Sequence, residues 1–220
     1  MSGIQTIIDN ATYITIDDQR VTGSSISRSG QYKTAERGPS PYSFTVGMHN
    51  GLTYSTNRAL LSELSTLGKT IESNVSLNNN TNMNYLTAYQ GAAPGSELNG
   101  ITMVSTTGSN IHINTNSITQ DASKLLFKKG DYIQPKGDTG TYRYPYQVKV
   151  DVPLLSQAEL VIQVNRPILS QTGVALTSGG IRVGNDIRFN VKCINQPNYS
   201  VVPHDLIAFT EDFQLIEVIT

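Results

Sequence analysis

From Ser123 the chain reads SKLLFKKGDYIQPKGDTGTYRYPYQVKVDV, and its end carries a clear alternation of apolar and polar positions. Tyr146, Val148, Val150 and Val152 alternate with Gln147, Lys149 and Asp151. A period of two places one set of side chains on a buried sheet face and the other in water. Upstream, Leu125, Leu126 and Phe127 form a short apolar run, Gly130-Asp131 punctuates it, and Tyr132-Ile133-Gln134 resumes an extended segment. The stretch therefore reads as strand, turn, strand, loop, strand. It is the segment around which the rest of the chain is organised.

Similar short runs recur on both sides. Strands are expected at Thr12–Ile16, Pro41–Met48, Ile101–Ser105, Ile111–Asn114, Leu160–Val164 and Val174–Leu176. Others are expected at Ile187–Ile194, Tyr199–Val202, Leu206–Phe209 and Phe213–Val218, with Gly, Pro and Asn between them. Asn50-Gly51 is a turn dipeptide. One segment has helical spacing. Leu60, Leu61, Leu64 and Leu67 recur at three and four residues, so a helix runs over about residues 55–67. Ser55 or Thr56 caps its start, and Gly68 supplies the left-handed exit. Arg28–Ser40 reads as a loop or extended arm that orders against a neighbouring copy. Ser73–Asn84 (SNVSLNNNTNMN) is too polar to build a core. The fold class that follows is mainly β: an antiparallel sandwich or barrel with one flanking amphipathic helix and long polar loops. Residues 1–220 are expected to form one domain, with the best seam near Gln120 separating 1–120 from 121–220.

Charge narrows the partners. The 220 residues carry 16 basic and 17 acidic side chains, a formal net charge of -1. No global basic field is available to hold nucleic acid. Charged residues make up 15% of the chain, below the roughly 25% of ordinary soluble proteins. Such a polar but weakly charged surface suits faces covered by neighbours. No apolar run reaches the roughly 20 residues of a membrane helix, and the N-terminal MSGIQTIIDN has no signal-peptide pattern. The single cysteine, Cys193, is in phase with Ile187, Phe189 and Val191 and reads as a buried thiol.

Candidate chemistry is sparse. Gly68-Lys69-Thr70 imitates the end of a phosphate-binding loop, but Glu63 stands where that loop needs glycine, and a helix comes before it rather than a strand. Gly179–Gly184 lacks dinucleotide spacing and reads as a hairpin turn. His49, His112 and His204 have no ligand spacing among them, and adjacent His204 and Asp205 would point to opposite faces of a strand. Asp17-Asp18 and Glu211-Asp212 sit at apparent turns. Tyr132, Tyr142, Tyr144 and Tyr146 are candidates for a sugar site or an interface, the interface being preferred. Arg20, Arg28, Lys33 and Arg37, with Tyr32, are too dispersed for specific nucleic-acid reading. No catalytic, cofactor-binding or metal-binding residue is assigned, no cofactor is implied, and the chain does not read as an enzyme. Gly130, Asp131, Tyr132 and Arg166 are singled out as structural positions only.

Several phrases of the second half resemble structural proteins of tailed-bacteriophage tails, of the distal-tail, baseplate-hub and tail-tube kind. They are Phe127–Gln134 (FKKGDYIQ), Tyr146-x-Val148, Asp151-Val152, Arg166–Leu169 (RPIL) and Gly184-Asn185. Pro197-Asn198-Tyr199, Val202-Pro203 and Phe213–Ile219 (FQLIEVI) complete the pattern. The likeness covers a little under half of the chain, and the first half is similar only in its order of strands, long polar loop and helix. The resemblance implies a tail-tube-type β fold and a homo-oligomer, usually a hexameric ring and in some hub parts a trimer. It also implies a place in the virion tail after synthesis in the bacterial cytoplasm, beside tube, hub and baseplate proteins, with DNA passing through the lumen during ejection. A receptor- or carbohydrate-binding module of a tail fibre or appendage is the alternative.

Overall fold

The alternation becomes strands wherever one face can be buried. The computed structural model describes residues 3–19, 22–36, 40–48, 52–67, 72–136, 144–169 and 179–219. Among these the chain is mainly antiparallel β, in several sheets with no closed barrel. Its first elements are α1 (Gly3–Asp9), β1 (Ala11–Asp18), β2 (Thr22–Ile26), β3 (Tyr32–Glu36), β4 (Tyr42–Met48), β5 (Leu52–Thr53), α2 (Tyr54–Leu67) and β6 (Glu72–Val75). Next come α3 (Gly95–Leu98), β7 (Thr102–Thr107), β8 (Asn110–Asn114), β9 (Asp121–Phe127) and β10 (Tyr132–Pro135). After them lie β11 (Tyr146–Gln147), β12 (Val152–Leu154), β13 (Leu160–Gln163) and β14 (Ile181–Val183). The last are β15 (Phe189–Asn195), β16 (Tyr199–Val202), β17 (Leu206–Phe209) and β18 (Phe213–Glu217).

The chain folds into two compact units, Met1–Ser73 with Val191–Ile219, and Asn74–Asn190. Gln120 lies inside the second. In the first unit, β1, β4, β18, β15 and β6 follow one another across a five-stranded sheet. The alternation of β4 and β18 buries Tyr42, Phe44, Val46, Phe213 and Leu215, and β15 adds Val191 and Cys193. The helix α1 is an addition to the expected elements. Ile4, Ile7 and Ile8 share one face of it at helical spacing and are all buried. α1 packs on α2, in which Leu61 is buried. The other leucines of the expected stripe have side chains outside the described set.

Three expectations for the first half of the chain need correction. Arg28–Ser40 is not simply an arm, because β2 and β3 pair as a hairpin from Thr22↔Glu36 to Ile26↔Tyr32. The Ser27 hydroxyl, 3.1 Å from the Gln31 N–H, and the left-handed Gly30 close its turn. Ser73–Asn84 does contribute to a core: Val75 and Leu77 are buried. Buried Asn80 accepts from the Asn82 and Met83 N–H groups, at 3.0 and 3.1 Å, so a polar sequence supplies its own turn. Asp17-Asp18 closes β1 rather than forming a turn, with Asp18 opposite Tyr42.

The second unit is built of short sheets: β13-β8-β7, β12-β9 and β11-β10-β14. Its core draws Ile111 and Ile113 from β8, Leu126 and Phe127 from β9, Ile162 from β13, and all four residues of β10. The strand expected over Tyr146–Val152 is interrupted. Tyr146, Val148 and Val152 are buried as the period requires, but Val150 is 51% exposed. The Asp151 carboxylate accepts the Lys129 N–H at 2.7 Å and turns the chain there, so β11 and β12 belong to different sheets. Gly179–Gly184 is not a hairpin turn either. Ile181–Val183 is the strand β14, paired with β10, and only Gly184–Asp186 turns, as a 3₁₀ turn.

Candidate functional site

The Gly130-Asp131 turn is the hub of the second unit. Gly130 has φ +101°, a left-handed conformation that a side chain resists. Buried Asp131 accepts the Lys128 N–H at 2.9 Å through one carboxylate oxygen and the Gln90 N–H at 3.0 Å through the other. Its own carbonyl accepts the Val148 N–H at 2.8 Å. One residue thus ties three segments together. Burial pushes its carboxyl above the usual value in spite of the two N–H donors. Tyr89 stands beside it. Its hydroxyl donates to the Leu126 carbonyl and accepts the Ala93 N–H, and burial raises its pKa to about 12.

Arg166 is fully buried: its Nη2 donates to the Pro145 carbonyl at 2.8 Å, and its guanidinium stands 5.3 Å from the Tyr146 ring centroid. Tyr132, 5.9 Å from the Phe189 ring, Tyr144 and Tyr146 are all buried, so these three offer no platform to a sugar or a partner. Tyr142 is outside the described residues. Asp131, Tyr132 and Arg166 are buried, and Gly130 supplies the left-handed turn before Asp131.

The remaining candidates do not converge. His112 Nδ1 lies 2.6 Å from Glu159 Oε1 on the outer face of β8. His204 and Asp205 occupy a left-handed turn, φ 68° and 62°, between β16 and β17. Asp205 serves the helix instead, because its carboxylate accepts the Ser55 N–H at 3.1 Å and the Ser55 hydroxyl. The cap of α2 thus comes from a residue distant in sequence rather than from Ser55 or Thr56. Asp212 accepts the Tyr13 hydroxyl at 2.5 Å. Cys193 is buried, its thiol 3.4 Å from the Asn195 carbonyl, and burial raises its pKa. Among the described residues no three His, Cys, Asp or Glu side chains are grouped as for a metal ion. His49, Arg20, Arg37 and Gly68-Lys69-Thr70 lie outside the described residues, as do the side chains of Tyr32, Lys33 and Glu63.

Two surface features remain. The first is β16, at the edge of the sheet β16-β17-β5. All four of its residues are exposed, Tyr199 by 40% and Val201 by 51%, and none is charged. Exposed Ile194 precedes it, and exposed Ile26 ends β2. The second is a cleft of about 570 Å³ within the second unit, lined by Lys136, Arg182 and Arg188 with Asp186 and several amides. Sequence reading missed it because Lys136 lies far along the chain from Arg182 and Arg188. The chain matches no known family model, and no characterised protein matches it.

Proposed function

We propose that this chain is a structural subunit of a ring at the distal end of a bacteriophage tail. It joins the tube to the baseplate or hub and encloses the path of the DNA. The phrases FKKGDYIQ, RPIL and FQLIEVI suggest the setting, and the exposed edge strand β16 carries the reading. A strand paired with β17 on one side, with no strand on its other side among the described residues and no lysine between Tyr199 and Val202 to blunt it, leaves every second residue's N–H and C=O as a template for pairing with another chain. Natural proteins protect such an edge or use it. In a closed ring each copy offers one surface to a different surface of the next, so every edge is paired and none is left to aggregate. The mainly antiparallel fold and the near-neutral charge are compatible with this role.

Light scattering on the purified chain, combined with the copy number of this protein in purified virions, tests the proposal. A hexamer, or a trimer in the hub variant, supports it, provided Val201→Lys shifts the assembly toward monomer. A monomer at every concentration, or a virion location away from the tail axis, overturns it. Glycan binding by such a monomer would instead favour an appendage module.

A further inference from the structure

The cleft of the second unit has no part in ring assembly as proposed above, yet its construction is specific. We propose that it is a binding site for a small hydroxylated oxyanion, a polyol or sugar carrying one phosphate or carboxylate. The inference stands independently of the assembly reading.

The frame comes first. Arg182 sits on β14 directly opposite Gln134 of β10, and the pairing continues through Pro135↔Ile181. The Lys136 N–H then donates to the Gly180 carbonyl at 2.8 Å, which holds Lys136 beside the start of β14. The 3₁₀ turn Gly184–Asp186 reverses the chain after Val183. Gly184 makes this possible: its φ is +67°, and a Cβ there would stand 3.0 Å from Tyr89. The return segment is clamped from both sides by buried Gln134. Its Nε2 donates to the Arg188 carbonyl at 2.7 Å, and its Oε1 accepts the Arg188 N–H at 3.0 Å. The backbones carrying Lys136, Arg182 and Arg188 are thus held to one strand by hydrogen bonds. That prior ordering lowers the entropy lost on binding.

The lining then selects the ligand. Three cations face one carboxylate, Asp186, so the described lining has an excess of positive charge. Guanidinium groups match the paired oxygens of a phosphate or carboxylate. The amides of Asn78, Asn99 and Asn185 both donate and accept, as hydroxyl groups require, and Asp186 accepts from a hydroxyl. The cleft's roughly 570 Å³ falls in the range of small-ligand sites. No aromatic side chain is among its described lining residues, so it lacks the stacking surface that single-stranded nucleic acid uses. The Gly-Gly-Ile-Arg-Val-Gly segment thus supplies one wall of an anion site without any nucleotide-binding spacing.

Calorimetric titration of the full chain tests this, with glycerol 3-phosphate, glucuronate, inorganic phosphate, glucose and a short single-stranded oligonucleotide as probes. Saturable binding is expected for glycerol 3-phosphate or glucuronate, the tighter of the two identifying the anion. It should weaken about tenfold in Arg188→Gln, as loss of a charge-assisted contact predicts. Glucose should not bind. Arg188 is exposed, so its replacement leaves the fold intact; Lys136→Gln is the second variant, and circular dichroism checks both. Four results overturn the proposal: no binding of either hydroxylated anion at millimolar concentration, inorganic phosphate binding as tightly as they do, affinity unchanged in both folded variants, or binding of the oligonucleotide alone.

Discussion

Asp131 shows how one carboxylate can organise a fold at a cost. Its raised pKa means that the folded chain holds that proton more tightly than the unfolded chain does. The stability it contributes is greatest below the ordinary carboxylate pKa, and is lost as pH rises through the raised value. The two N–H bonds offset that loss. Asp131→Asn keeps one acceptor oxygen and turns an NH₂ toward the other donor, so urea unfolding should show a loss of about 1–3 kcal/mol. The deficit should narrow between acid and neutral pH, because only the wild-type chain carries the buried charge. Tyr89 provides a spectroscopic check nearby. Its ionisation opposes folding, so it should hold its proton until the pH reaches about 12. The ultraviolet titration of wild type minus Tyr89→Phe should rise there rather than near the ordinary tyrosine value. Neither role is visible along the chain. The GD dipeptide announces a turn, but only the fold brings Gln90 to Asp131 and Tyr89 to the Leu126 carbonyl.

At the scale of elements, the ends of strands and helices are where neighbours intervene. The start of α2 is capped by Asp205, which is held in a left-handed turn with His204. Asp205→Ala should cost about 1 kcal/mol. Asp205→Asn, which tolerates the same conformation and keeps an acceptor, should cost less; thermal unfolding of the two variants checks the order. Gly130 has open space where a Cβ would stand, so Gly130→Ala tests backbone strain alone, with an expected loss of about 1–2 kcal/mol. The hairpin β2–β3 forms a two-stranded sheet of its own, a kind that is marginal in water without packing. The polar sequence of β3 hid the pairing, because YKTAE lacks the apolar alternation that identifies a half-buried strand.

For the molecule as a whole, assembly through β16 and anion binding in the cleft should respond differently to salt. Pairing at β16 is a matter of backbone hydrogen bonds and uncharged side chains, and should persist in about 1 M salt, where charge interactions are screened beyond roughly 3 Å. Ligand binding in the cleft depends on Lys136, Arg182 and Arg188, and should weaken across the same range. Light scattering and calorimetry on one preparation therefore separate the two. The folding of the chain into Met1–Ser73 with Val191–Ile219, and Asn74–Asn190, also sets a topological requirement. The first unit completes its sheet only when β15 and β18 return from the far end of the sequence, so its formation depends on long-range closure.

The mainly β class, the positions of β4, β10, β15, β17 and β18, and the helix ending at Leu67 were all written in local periodicity. Alternation at Phe44 and Val46, or at Phe189, Val191 and Cys193, needs no partner to be recognised, because each strand must bury one face of its own pleat. The three isoleucines of α1 carried the same information at helical spacing, in a run too short to stand out. Other features depended on which segments meet. The break at Val150 needs Asp151 to find the Lys129 N–H. The burial of the tyrosines around Pro145 needs the neighbouring core. The cleft needs residues 136, 182 and 188 to converge on Gln134. Periodicity reports which face of an element avoids water; it is silent on which element will cover that face, and convergence of distant polar groups is set by pairing alone.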